Sequence, residues 1–158
     1  MLEKMRIGLG ADHAGFELKV FLAKRIEALG YEVVDYGAYE YDALDDYPDF
    51  AEKVADAVAK GEVTKGVLVC GSGIGASIAA NKVVGVRAGV CTESYSAHQG
   101  VEHDDVNVLV VGSRVIGIEV ANEILASFLN AKFSGEERHV RRLNKVLAIE
   151  KRSLEGES

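Results

Sequence analysis

Gly66-Val67-Leu68-Val69-Cys70-Gly71-Ser72-Gly73-Ile74-Gly75 is the stretch on which the fold turns. Its first half is an apolar run of strand length, as expected for a strand covered on both faces. Its second half is a glycine loop, and the residues from Ile74 to about 83 read as a helix. A buried strand, a glycine turn and a helix in direct succession form the repeating unit of a parallel α/β sheet. The same alternation recurs on either side. Strands are predicted at 6–10, 31–35, 66–70, 86–91 and 106–111, and helices near 14–29, 49–60, 74–83, 93–101, 117–130 and 136–151. The expected fold is a single-domain, open, parallel five-stranded sheet with helices on both faces, a Rossmann-like three-layer α/β sandwich.

The chain has 158 residues, the size of one domain with a full core. The domain is expected over 1–150, with 151–158 as a C-terminal tail. The two cysteines, Cys70 and Cys91, make no disulfide framework, which favours a reducing, cytoplasmic compartment. The N-terminal residues lack the apolar core of a signal peptide, and no apolar run reaches membrane-span length. A net charge of −7 argues against nucleic acid as the main partner. The four histidines show no metal-ligand spacing, so no metal is expected.

Ligands of such sheets sit beyond the carboxyl ends of the strands, near the point where strand order reverses. That rule selects Asp12 and His13, Cys70 to Gly75, Cys91 to Glu93, and Gly112 to Arg114. The glycines at 71, 73 and 75 let backbone amides approach a ligand, and the helix from Ile74 points its free N–H groups at the same place. Together they suit a phosphate or a developing oxyanion. Cys70 stands at that positive end, where a thiolate is favoured and can act as a general base. The plainer reading, a small core residue closing a strand, is kept for Cys91. A rival remains at this point. Gly71-x-Gly73-x-x-Ala76 matches a relaxed dinucleotide fingerprint, with Glu93 near the place of a ribose-binding acid. That reading makes the chain a non-catalytic nucleotide-binding module.

Asp12-His13 directly follow the first strand, where they suit proton transfer or contact with sugar hydroxyls. Asp12 would equally serve as the N-cap of the next helix. Arg138, His139 and Arg142 are expected on one helical face, where two guanidiniums match a phosphate.

The whole pattern is more specific than its parts. Gly10-Ala11-Asp12-His13-Ala14-Gly15-Phe16, Asp46-Tyr47-Pro48, Cys70 to Gly75 with Ala79-Ala80-Asn81-Lys82, Asn107-Val108-Leu109, Gly112 to Gly117, and Arg138-His139 with Arg142 resemble the motifs of the ribose-5-phosphate isomerase B family. The wider group includes galactose-6-phosphate isomerase subunits, and the resemblance spans about residues 5 to 150. It implies aldose–ketose isomerisation of a sugar phosphate through an enediolate, without cofactor. Cys70 would move the proton between C1 and C2. One branch of the family uses a glutamate a few residues later, and Ala76 stands near that place here. The amides of Gly71, Gly73, Ile74 and Gly75 would hold the enediolate oxygens, with Ser72 assisting. Asp12 and His103 would open the sugar ring. His13, Arg114, Arg138 and Arg142 would bind phosphate or position the substrate, and Tyr47 would line the pocket. The resemblance further implies a homodimer, in some members a tetramer, with each site built from two chains. Ribose 5-phosphate is the leading substrate. Allose 6-phosphate, galactose 6-phosphate and a tetrose phosphate are the alternatives.

Overall fold

The computed structural model describes residues 3–156. The elements run β1 (Arg6–Ala11), α1 (Phe16–Ala28), β2 (Glu32–Asp35), α2 (Tyr47–Ala59), β3 (Lys65–Cys70), α3 (Ile74–Ala80), β4 (Ala88–Val90), α4 (Ser94–Asp104), β5 (Val108–Gly112), α5 (Ile118–Asn130) and α6 (Glu137–Leu154). The five strands make one sheet in the order β2-β1-β3-β5-β4, and every pairing is parallel. The predicted sandwich is the observed one. Its order reverses between β1 and β3, which opens a crevice beyond Ala11 and Cys70.

Alternation along the strands divides the core in two. Ile7, Leu9, Val67, Val69, Leu109 and Val111 face Leu22 and Ile26 of α1 and Ile124, Leu125 and Phe128 of α5. Leu68, Cys70, Val108 and Val110 face Ala51, Val54 and Val58 of α2 and Ala76 and Ala80 of α3. On this second face Gly10 and Gly66 leave no room for a side chain. A methyl group on either would come within 2.8 Å and 2.6 Å of the Val54 side chain. α2 therefore lies close on the sheet, and its first residue, Tyr47, comes to rest against the glycine loop.

Some predicted boundaries move, for physical reasons. β4 covers only Ala88–Val90, shorter than predicted, and side chains hold its amino-terminal end. Arg87 N–H donates to the Asn107 side chain at 2.8 Å, and Asn81 exchanges two bonds with Ala88. α1 begins two residues later than predicted, after a turn in which Gly15 N–H donates to Asp12. The last helix continues to Leu154, three residues past its predicted end at about 151. Among its residues only His139 is buried, while Val146, Ile149 and Leu154 lie exposed. Among the described residues no helix is long and apolar enough to cross a membrane.

Candidate active site

The crevice between β1 and β3 gathers most of the residues singled out in the sequence. Cys70 ends β3 and is 4% exposed. Its Sγ accepts a hydrogen bond from Gly73 N–H at 3.2 Å. Gly73 can make this turn because its φ is +86°, a left-handed conformation open to glycine. Ser72 Oγ accepts from Ile74 N–H at 3.1 Å. Two of the amides expected to face an oxyanion are thus engaged within the loop at rest. Gly75 N–H, in the first turn of α3, has no acceptor inside its helix.

Neighbouring loops hold this one from both sides. Ser113 N–H donates to Cys70 O at 2.8 Å, and Arg114 N–H donates to Gly71 O at 3.0 Å. The Arg114 guanidinium lies over Gly71, 3.2 Å from where a methyl group would be. The Tyr47 ring covers Gly75 so closely that a methyl group there would meet it at 2.6 Å. Tyr47 keeps 40% of its surface exposed, as a pocket wall would.

Asp12 and His13 stand across the crevice, at the end of β1. Asp12 is buried, and its Oδ1 accepts from Gly15 N–H at 3.1 Å. Gly15, not Asp12, is the N-cap of α1, and Asp12 instead closes the turn before the helix with one oxygen. His13 is paired with Asp45, a residue not singled out from the sequence. Asp45 Oδ1 accepts from His13 N–H at 2.9 Å and lies 2.7 Å from His13 Nδ1. This bond, with the nearby Asp12 charge, holds the His13 pKa above its ordinary value, against its partial burial and the Arg114 charge. Asp12, His13 and Asp45 offer ligand atoms within 4.8 Å of one another and are the group among the described residues that could hold a metal ion. Oδ1 of both carboxylates already accepts protein N–H groups.

The remaining predicted residues lie elsewhere in the chain. α4 leaves the carboxyl end of β4 and returns to the amino end of the parallel β5. Its 11 residues carry the chain about 16 Å back along the sheet. His103, next to last in α4, is therefore at the end of the sheet opposite Cys70. There it stacks on His139 of α6, with ring centroids 4.0 Å apart. His103 Nδ1 meets the Gln99 amide at 2.9 Å, and His139 Nδ1 meets Ser134 Oγ at 2.6 Å. Burial, then the charge of His103 and then of Arg138, lowers the His139 pKa and favours a neutral ring. The expectation that Arg138, His139 and Arg142 share one face is corrected here. Neighbouring helical residues point about 100° apart, so His139 turns inward while Arg138 and Arg142 stay exposed. Arg138 pairs with Glu136 at 3.1 Å.

Two further assignments separate cleanly. Burial and then the nearby Glu93 push the Cys91 thiol up to about 11, so Cys91 is an inert core residue. Glu93 caps α4, accepting from Ser96 N–H at 3.0 and 3.2 Å. It also follows β4, which β5 separates from β3. It is thus unavailable as the ribose-binding acid of the dinucleotide reading.

The fold and crevice define a class: an open parallel α/β domain whose switch point carries a cysteine in a glycine loop, facing an aspartate–histidine pair. The profile of the ribose/galactose isomerase family matches residues 7–146. Ribose-5-phosphate isomerase B of Escherichia coli is 47% identical over 147 residues, covering 93% of this chain and 97% of that protein. The Clostridium thermocellum ribose-5-phosphate isomerase B structure superposes with a TM-score of 0.90 at 48% identity, covering 94% of this chain and 99% of that one. The Mycoplasma genitalium enzyme, solved with bound ribulose 5-phosphate, superposes at 0.89 with 39% identity, over 95% of this chain and 99% of the other. D-erythrulose-4-phosphate isomerase of Pectobacterium atrosepticum is 40% identical over 134 residues, covering 83% of this chain and 86% of that protein. This chain belongs to the ribose/galactose isomerase family.

Proposed function

We propose that this chain is an aldose–ketose isomerase interconverting ribose 5-phosphate and ribulose 5-phosphate, with Cys70 as the base. The carrying observation is Cys70 Sγ at the switch-point crevice, opposite Asp12 and His13, in a chain of this family. The Cys70 thiolate takes the C2 proton of the open-chain aldose, and its electron pair moves toward the C1 carbonyl. The resulting enediolate carries its charge on O1 and O2. Return of the proton to C1, with transfer of the hydroxyl proton from O2 to O1, leaves the C2 ketone. The amides of Gly71 and Gly75, joined by those of Gly73 and Ile74 once these leave Cys70 Sγ and Ser72 Oγ, line the oxygens and stabilise the enediolate more than the neutral sugar. Ser72 assists from the loop. No step needs a cofactor.

Asp12 opens the sugar ring together with His103, and His13, Arg114, Arg138 and Arg142 hold the phosphate. His103 and the arginines of α6 are far from Cys70 within one chain, so this assignment requires a second copy. A homodimer with two shared sites is the simplest closed assembly that supplies it, and the exposed apolar residues of α6 suit such a contact. The buried, unpaired cysteines suit a cytoplasmic enzyme.

A second reading keeps the chemistry and changes the sugar. It is favoured by the relative named as a D-erythrulose-4-phosphate isomerase. A panel of pentose, hexose and tetrose phosphates compared by kcat/KM decides between them. The primary reading expects the highest value for ribose 5-phosphate, and a higher value for a hexose or tetrose phosphate replaces it.

A further inference from the structure

Asp45 lies in the loop before α2, among acidic residues that are mostly exposed, yet its own side chain is only 10% exposed. Its Oδ1 receives both the backbone N–H and the ring Nδ1 of His13. Its Oδ2 is buried and has no hydrogen-bond partner among the described residues. A buried carboxylate is stable only when its charge is compensated. Here His13 alone supplies the donors, so the carboxylate and ring form a unit. The remaining surroundings of His13 are Asp12 at the end of β1, the edge of the Tyr41 ring at 6.2 Å, and Arg114 from the loop after β5. The His13 side chain stays 27% exposed.

We propose that Asp45 is a positioning residue that anchors His13 through Oδ1, keeps Nδ1 a donor, and presents Nε2–H as part of a cation to the substrate phosphate. The inference rests on the reading of His13 as a phosphate contact. A neutral imidazole bonded through Nδ1–H would offer Nε2 as an acceptor, which a phosphate oxygen repels. The imidazolium offers a donor at the same point. The hydrogen bond to Asp45 raises the His13 pKa, so the donor form persists to a higher pH than in an unpaired histidine. Asp12 reinforces this and Arg114 opposes it.

The test is Asp45→Asn, which keeps size and an acceptor oxygen but removes the charge, with Asp45→Glu as the charge-retaining control. The titration of His13 is followed by nitrogen-15 NMR of the ring, in free enzyme and with inorganic phosphate. KM and kcat for ribose 5-phosphate are measured at pH 6 and pH 8. In Asp45→Asn the His13 midpoint should fall. At pH 8 inorganic phosphate should bind more weakly and KM should rise, each by about tenfold, the loss of one charge-assisted hydrogen bond. The KM difference should shrink at pH 6, where the ring is protonated without help, while kcat stays nearly unchanged. Asp45→Glu should restore much of the midpoint. An unmoved midpoint, an unchanged phosphate affinity, or a KM ratio equal at both pH values overturns the proposal. Absence of turnover in the unsubstituted enzyme would instead strike the isomerase reading. The titration and inorganic phosphate measurements would still decide the role of Asp45.

Discussion

Cys70 ends one strand and Cys91 follows another, and their neighbours separate them. Cys70 meets the Gly73 amide in a glycine loop, whereas Cys91 is buried beside Glu93 with its thiol pushed up to about 11. Cys70→Ala should lower kcat by at least about a hundredfold, the scale of general-base catalysis, while thermal unfolding shows the fold retained. Cys91→Ala should keep turnover, and full activity in purified Cys70→Ala would remove Cys70 as the base. His13 links the site to stability. Its folded pKa lies above the ordinary 6.5, so the His13–Asp45 pair contributes fully below pH 6.5 and its contribution fades as pH rises through the folded value. Asp45→Asn should remove that slope from a series of melting temperatures across neutral pH. At this scale Cys70, Asp12 and His13 were legible because each directly follows a strand of an open α/β sheet. Asp45 was not. It sits in an acid-rich loop where composition points to solvent, and only tertiary contact with His13 distinguishes it.

The glycine loop is shaped as much by the elements around it as by its own residues. Gly112, the last residue of β5, leaves the space that Ser72 occupies. A methyl group there would come within 2.5 Å of the Ser72 carbonyl oxygen. Gly112→Ala must therefore displace the loop or the end of β5, costing about 1–3 kcal/mol. Because the displaced backbone carries the amides beside Cys70, kcat should fall by a larger factor than the stability loss explains when activity is assayed well below the melting temperature. Wild-type kcat in folded Gly112→Ala would show that the loop tolerates the shift. The order of strands and helices was readable from apolar periodicity, since β1, β3 and β5 are buried almost throughout and their runs stand out. The ends were less readable. The amino-terminal end of β4 is held by side-chain bonds from Asn107 to Arg87 and from Asn81 to Ala88, partners 20 and 7 residues away. Local patterning carries no trace of such partners.

Across the whole molecule the proposed site residues divide into two groups at opposite ends of the sheet. Cys70, Asp12, His13, Tyr47 and Arg114 surround the crevice, while His103 and His139 stack beyond its far end. The shared-site proposal makes a quantitative prediction. Cys70→Ala and His103→Ala should each be nearly inactive alone. If they are mixed and allowed to exchange subunits, half the molecules become hybrids with one intact site each, and activity should recover to about a quarter of the unsubstituted enzyme. No recovery after proven exchange would place all essential groups within one chain. That the site is built from two groups of residues was expected only through the family resemblance, which implies two chains per site. Their placement was not, because it depends on α4 running backward along a parallel sheet, a property of strand order rather than of any residue.

That backward run of α4 has a consequence for how the protein behaves when scarce. Under the shared-site proposal, a chain that carries one half of the reaction centre at each end of its sheet has no turnover of its own. Output then tracks the population of paired chains, which falls faster than total protein once dilution approaches the dissociation constant of the pair. Expression level would act as a threshold control on flux, with no effector molecule required.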